Sequence, residues 1–120
     1  MEMTNPVEWV GTSKRDLKKF PAAVQDEVGF ALYQAQIGLR YRHVKSLKGF
    51  GANVLEIISR HDGDAYRAVY AVRFKGAVYV LHAFQKKAKR GVSTPKQEID
   101  LVRRRLMAAE QHYKEFYGER

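Results

Sequence analysis

The spacing of hydrophobic residues changes several times along the chain, and each spacing is typical of one kind of element. A short apolar run at Val7–Val10 predicts a first strand. Apolar residues three and four positions apart then predict two helices, Lys14–Lys19 and Pro21–Ile37. The helices divide at Pro21 because proline lacks the backbone N–H that a continuous helix requires. Ser13 is the expected N-cap of the first helix.

The second half of the chain is predicted as a loop, three strands and a helix. Leu39–Asn53 contains glycines and has no clear period, so it is predicted as a basic loop. Val54–Ser59, Ala65–Phe74 and Ala77–Phe84 have the composition of strands and are separated by glycine-containing turns. Because these turns are too short for crossovers, the three strands must form an antiparallel meander. A final amphipathic helix is predicted over Thr94–Tyr117, with the threonine as its cap.

This order of elements predicts an α+β fold in a single domain over residues 1–120. A small antiparallel sheet would combine the N-terminal strand with the three-strand meander. The N-terminal helical hairpin and the C-terminal helix would cover one sheet face and leave another region of the sheet open.

Composition excludes several classes of protein. The chain has 120 residues and no cysteine, which excludes disulfides, thiolate metal sites and a cysteine nucleophile. The N-terminus lacks the basic and apolar regions of a signal peptide, and the longest apolar run, near Ala77–Phe84, is too short to cross a bilayer. We therefore expect a cytoplasmic protein that does not associate with membranes.

Positive charge is the first indication of a partner. The chain has 22 Lys and Arg against 13 Asp and Glu, which gives a net charge of +9. Residues 28–55 hold basic side chains and no acidic ones: Arg40, Arg42, Lys45 and Lys48. Residues 65–97 hold eight more, again without an acid: Arg67, Arg73, Lys75, Lys86, Lys87, Lys89, Arg90 and Lys96. A solvated surface would explain one such run, but two in so small a chain favour a polyanionic partner.

Sequence motifs for metal, nucleotide and serine-triad chemistry are missing. The four histidines form no HExxH pair and no cluster with carboxylates. The chain contains no P-loop, dinucleotide-binding or serine-hydrolase motif, and its acidic residues are scattered. We therefore expect neither a metal nor a cofactor, so catalysis would rest on cations and imidazole.

Arg67 is the strongest catalytic candidate. It lies on the predicted central strand, where alternation puts it on the same side as Val69 and Ala71. A charge at such a position must be paired or must face a water-filled concavity. Arg67 is therefore either a functional cation or a structural arginine bonded to Glu56 on the neighbouring strand.

Further candidates lie at the end of the last predicted strand. A basic cluster follows Phe84 and would either line a cleft or form a solvated loop: Lys86, Lys87, Lys89 and Arg90. His82 lies just upstream, and the ordinary imidazole pKa of about 6.5 suits general acid–base catalysis. A lone histidine on a strand is more often structural than catalytic, so both interpretations of His82 stay open.

Four motifs, in this order, resemble the RelE/ParE toxin superfamily. They are Val-Leu-Glu-Ile at 54–57, Ala-Tyr-Arg-Ala-Val-Tyr at 65–70, Val-Leu-His-Ala-Phe-Gln-Lys-Lys at 80–87 and Thr-Pro-x-x-Glu-Ile at 94–99. The histidine-aromatic-Lys-Lys run before a Thr-Pro helix start is similar to the HigB-like, phage-derived branch. The resemblance covers nearly the whole chain. It implies a RelE-like fold, toxicity by cutting mRNA on the translating ribosome, and inactivation by a helix-turn-helix antitoxin.

The resemblance also implies a metal-free reaction in which the 2′-hydroxyl of the RNA attacks the adjacent phosphate. The enzyme would orient that attack, neutralise phosphoryl charge and help to move protons. Arg67 matches the strand arginine that family members use near the scissile phosphate, and its planar fork can bind two oxygens. Lys87 falls where the family carries a second cation, and Lys86 is the neighbouring candidate. Six basic residues are expected to contact nucleic acid: Arg40, Arg42, Lys45, Lys48, Lys89 and Arg90.

Departures from the family pattern leave the general base and the function partly open. RelE-type members carry lysines where this chain has Glu56 and Ile58, and a tyrosine where residues 92–94 are Val-Ser-Thr. His82, Tyr66 and Tyr70 are candidate bases by their chemistry. A ParE-like gyrase inhibitor without nuclease activity is one alternative function, and a non-toxic nucleic-acid-binding module is another. ParE-like members tend to lack the cation cluster after the last strand, so its presence favours cleavage.

Overall fold

The computed structural model describes residues 4–86 and 94–118. Its helices and strands follow one another as β1 (Val7–Trp9), α1 (Ser13–Leu17), α2 (Ala22–Gln36), β2 (Val44–Ser46), β3 (Val54–His61), β4 (Asp64–Ala71), β5 (Val78–Lys86) and α3 (Lys96–Phe116). This is the α+β class that the hydrophobic spacing predicts. Within these ranges, no helix combines the length and the apolar character that crossing a membrane requires.

The sheet differs from the prediction in two respects. Its five strands lie in the order β1-β5-β4-β3-β2. β2, inside the segment predicted as a loop, pairs antiparallel with β3, and β1 pairs parallel with β5. The prediction of a four-stranded antiparallel sheet is therefore wrong. Three residues are too few to display a period, and the direction of β1 depends on a partner about 70 positions away in the chain.

Helices cover both faces of the sheet. Val24 and Val28 on α2 pack on one face, against residues such as Ile57. Val102 and Ala109 on α3 pack on the other face. The prediction that helices cover one face only is wrong. Strands β4 and β5 are buried at nearly every position, the pattern of strands that are covered on both sides.

Two hydroxyls predicted as helix caps bind tertiary partners instead. The residue before α1 is Thr12 and the residue before α3 is Pro95, and neither helix has a side-chain cap hydrogen bond. Ser13 donates to the carbonyl oxygen of Val80 at 3.1 Å. Thr94 donates to a carboxylate of the sheet, so the start of α3 is anchored by the site described next.

Candidate functional site

Five polar side chains gather between the sheet and the start of α3. Glu56 comes from β3, Arg67 from β4 and His82 from β5, while Thr94 precedes α3 and Glu98 lies in its first turn. Hydrogen bonds connect these side chains in two groups. We refer to the five residues as the polar cluster.

Alternation and one β-bulge decide which strand residues face the polar cluster. Arg67 lies on the same face as Val69, as alternation predicts. In the β4–β5 ladder Val69 pairs with His82 but Tyr70 pairs with Val80, so one residue of β5 is left out of the register. The shift brings His82 onto the α3 face, where it reaches α3.

Arg67 is held in a buried ion pair. Its Nη1 donates to both carboxylate oxygens of Glu56 at 3.2 Å. The two residues are 2% and 1% exposed. Thr94 is the third member of this group, because its hydroxyl donates a hydrogen bond to Oε2 of Glu56 at 2.9 Å. The contact that defines the structural interpretation of Arg67 is therefore present.

The burial of this ion pair makes its two residues interdependent. Removing one partner of a buried pair leaves an uncompensated charge in a low-dielectric site, which typically costs about 3–5 kcal/mol. Replacing both partners by uncharged residues is often close to neutral. The pair therefore has to be altered as a unit if function is to be separated from stability.

His82 forms the second group of the polar cluster. Its Nε2 lies 2.6 Å from Oε1 of Glu98, and its ring stacks on Phe84 with centroids 4.7 Å apart. Nδ1 is buried and finds no hydrogen-bond partner among the described residues. If Nε2 donates to the carboxylate, the neutral ring carries its lone pair on Nδ1. In this arrangement the imidazole is a candidate base and the Glu98 carboxylate orients it. Because Nδ1 is buried, either the ring or the side chains over it must move before Nδ1 can accept a proton.

A cleft of about 440 Å³ opens beside the polar cluster. Glu56 and Thr94 line it together with two exposed lysines, Lys45 and Lys48. Lys45 lies directly opposite Glu56 in the β2–β3 register. Two of the residues predicted to bind nucleic acid therefore lie at the carboxylate that holds Arg67. We call this space the lysine cleft.

The remaining basic candidates do not share one location. Arg42 is exposed, and Arg40 lines a different cleft, on the α2 side of the sheet. Lys86 ends β5 opposite Ala65 and is partly exposed, on the same face of the sheet as Arg67. Three further candidates lie outside the described residues: Lys87, Lys89 and Arg90.

Tyr66 and Tyr70 are on the wrong face to serve as the general base. Both belong to the core on the α1–α2 side of the sheet, where Tyr66 packs against Phe20 with ring centroids 4.9 Å apart. Alternation along β4 puts them opposite Arg67. Burial also raises the pKa of Tyr70 to about 12, which makes deprotonation at neutral pH unfavourable. Of the three predicted bases, only His82 lies with Arg67.

Two members of the polar cluster had no predicted functional role. Thr94 was predicted as a helix cap, and Glu98 was part of a motif without an assigned function. Only the tertiary structure brings Glu98 to His82, 16 positions away in the chain. In residues 4–86 and 94–118, no group of three or more histidine and carboxylate side chains is placed to hold a metal ion.

Comparison with solved structures defines the class of fold. A mutant of the E. coli toxin RelE in the free state is similar over 88% of this chain and 98% of that chain, with a TM-score of 0.57 and 16% sequence identity. The protein therefore has a RelE-like α+β fold. The toxin–antitoxin complex RelBE2 from Mycobacterium tuberculosis gives a TM-score of 0.42 and 23% identity over 72% of this chain and 95% of that chain.

Comparison with protein families identifies the chain more closely. Residues 15–107 match the family described as phage-derived Gp49-like proteins (DUF891). The chain belongs to this family. No curated protein matches the sequence. Four short motifs in the sequence predict the RelE/ParE superfamily and its phage-derived branch. The family match and the fold together confirm both predictions. The HigB-like character stays a prediction.

Proposed function

We propose that this protein is the toxin of a toxin–antitoxin pair and cleaves mRNA on the ribosome without a metal ion. The observation that carries the proposal is the lysine cleft. Lys45 and Lys48 line it beside Glu56 and Thr94, and these two residues hold Arg67 behind the cleft wall. Two lysines that line the cleft, with a guanidinium behind its wall, form an arrangement suited to binding the negatively charged phosphodiester of RNA. The RelE-like fold and the family match support the same function.

The proposed reaction needs only groups that RNA and this chain supply. The 2′-hydroxyl loses its proton to a base and attacks the adjacent phosphorus, while the 5′-oxygen leaves and takes up a proton. His82, oriented by Glu98, is the candidate for proton transfer. Arg67 would neutralise charge that develops on the phosphoryl oxygens, with Lys86 or Lys87 as a second cation.

Substrate binding would have to rearrange the polar cluster. Arg67 is buried, and Nη1 points at Glu56 and Thr94. A phosphate can bind Nη1 of Arg67 only if it replaces one of these acceptors. An RNA positioned by the ribosome can supply the binding energy for that exchange, which is one physical reason to expect dependence on the ribosome. A second is that a single small cleft has few contacts with which to hold a flexible strand.

The partners and location of the protein form part of the same proposal. A toxin of this kind requires a cognate antitoxin, for which we propose a helix-turn-helix protein. The ribosome and mRNA would be its targets in the cytoplasm, with Arg42, Lys89 and Arg90 as additional contacts to nucleic acid. The proposal treats residues 1–120 as one functional domain.

The test compares one mRNA in two states. The purified protein is incubated with naked message and with the same message on translating ribosomes, and cuts are mapped by primer extension. We expect cutting on ribosomes, negligible cutting of naked RNA, and no loss of activity in excess EDTA at constant free magnesium. Equal rates on both forms would overturn the dependence on the ribosome. Inhibition of gyrase supercoiling without any cutting would instead support the ParE-like alternative.

A further inference from the structure

A second cleft lies on the opposite face of the sheet from the polar cluster. Its volume is about 480 Å³, and it opens between the C-terminal end of α2 and the adjoining strand ends. Apolar side chains line it, among them Leu55 and Val78, which belong to the α2-side core. The sheet separates this space from Arg67. We call it the tyrosine cleft, after the residue discussed next.

Tyr70 lines the tyrosine cleft, and its hydroxyl is buried. The side chain is fully buried, and its oxygen finds no hydrogen-bond partner within the described part of the chain. Burial raises the pKa of Tyr70 to about 12, so the hydroxyl is a donor at neutral pH. A buried polar group without a partner is costly, and such groups are rare in folded proteins. An acceptor bound in the cleft would remove this cost once the side chains that cover the hydroxyl move aside.

The charges around the tyrosine cleft are all of one sign. Arg40 and Lys75 line it, and no carboxylate is among its described lining residues. Arg40 is exposed and lines the cleft together with Tyr70, so both side chains adjoin the same space. The cleft thus offers a hydroxyl donor and two cations next to an apolar surface.

We propose that the tyrosine cleft binds a small organic carboxylate with an apolar body, its carboxylate held by Arg40 and the Tyr70 hydroxyl. The volume lies in the range of small-molecule pockets, and the lining combines an apolar surface with a few polar groups, as such pockets do. A free acid and the C-terminal residue of a peptide share this chemistry. The proposal does not depend on RNA cleavage, because the polar cluster is on the other face.

The test titrates the full chain with 4-phenylbutyrate and, as an uncharged comparison, with 4-phenylbutan-1-ol. Binding is followed by calorimetry and by the backbone amide resonances of Asn53, Val72 and Gly76. We expect saturable shifts with the acid and at least about tenfold weaker binding of the alcohol, because the hydrogen bonds to the charged group are lost. Tyr70→Phe and Arg40→Gln should each weaken binding of the acid to a similar degree. Tyr66→Phe should leave it unchanged.

A second arm distinguishes the two sources of the carboxylate. N-acetyl-leucyl-phenylalanine and its C-terminal amide are titrated in the same way. Binding of the peptide acid but not of 4-phenylbutyrate would assign the site to a chain terminus, and the reverse would assign it to a free acid. The proposal is overturned if neither acid gives saturable shifts, or if Tyr70→Phe and Arg40→Gln bind as tightly as the unaltered chain. Neither result would affect the cleavage assay.

Discussion

The contact between Arg67 and Glu56 links the stability of the protein to its proposed chemistry. The guanidinium that would neutralise a phosphate is the one that neutralises a carboxylate with 1% exposure. Loss of activity on removal of Arg67 alone would therefore have two explanations. A variant that removes both charges separates them.

We expect Arg67→Ala to destabilise the fold by about 3–5 kcal/mol, because Glu56 is left buried without a counter-charge. The double variant Glu56→Gln/Arg67→Met should recover most of that stability and still fail to cut mRNA on ribosomes. Urea unfolding measures the first effect and primer extension the second.

Arg60 provides a control for both measurements. It is exposed, on the same sheet face as Arg67 and opposite Ala65, so Arg60→Ala should change stability by no more than about 0.5 kcal/mol. If the double variant folds and cuts normally, Arg67 has a structural role and the catalytic assignment passes to Lys86 or Lys87.

At the scale of elements, one carboxylate ties α2 to β3 and to the segment between α2 and β2. Glu27 on α2 accepts hydrogen bonds from Ser59 at 2.6 Å and from Tyr41 at 2.8 Å, and lies 3.3 Å from the ring of His43. Burial raises the pKa of Glu27, but the bonds from Ser59, Tyr41 and His43 outweigh it and hold the pKa below the ordinary 4.5. The ionised form is therefore the one that stabilises the fold.

The lowered pKa predicts a stability effect that depends on pH. The contribution of Glu27 is fully present above its unfolded pKa of about 4.5 and is lost as the pH falls through the lower pKa of the folded state. We expect Glu27→Gln to lower the free energy of unfolding by about 1 kcal/mol at pH 7, and by less at pH 3. Urea unfolding at the two pH values tests this, with Asp26→Asn, at an exposed neighbour, as the control. An equal loss at both values would contradict it.

At the scale of the whole molecule, the net charge is +9, and basic side chains lie on both faces of the sheet. Lys45 and Lys48 lie at the lysine cleft, whereas Arg40 lines the cleft on the other face. The basic segment between α2 and β3 is therefore not one surface. Only part of it adjoins the polar cluster, so its residues should differ in their effect on RNA binding.

We expect Lys45→Ala/Lys48→Ala to weaken ribosome binding and to flatten its salt dependence. Each lost phosphate contact should reduce the slope of log K against log salt by about 0.7–0.9. Binding measured from low to moderate salt tests this. Lys18→Ala/Lys19→Ala makes the same charge change on exposed residues after α1 and should leave the slope nearly unchanged. An unchanged slope in the first variant would make the lysine cleft a merely solvated surface.

The candidate site was predictable where it depends on a single strand or on adjacent strands. Alternation alone puts Arg67 on the same face as Val69, and the neighbouring strand offers Glu56 as its partner. Alternation also puts Tyr66 on the opposite face, an implication that the sequence interpretation did not use. The His82–Glu98 contact was not predictable, because it needs both the shift in register on β5 and the seat of α3 on the sheet.

The sequence by itself determined the helices, the three-strand meander and the positive charge, because hydrophobic period, turn residues and composition are local properties of a chain. It also determined the family, because the four motifs and their order can be read from the sequence without knowledge of the fold. Only the tertiary structure decided that β1 runs parallel to β5, that α3 covers the second face, and that Thr94 binds Glu56 and does not cap a helix. Each of these features depends on contacts between residues far apart in sequence. Such contacts are determined by the packing of the whole chain and not by any local pattern.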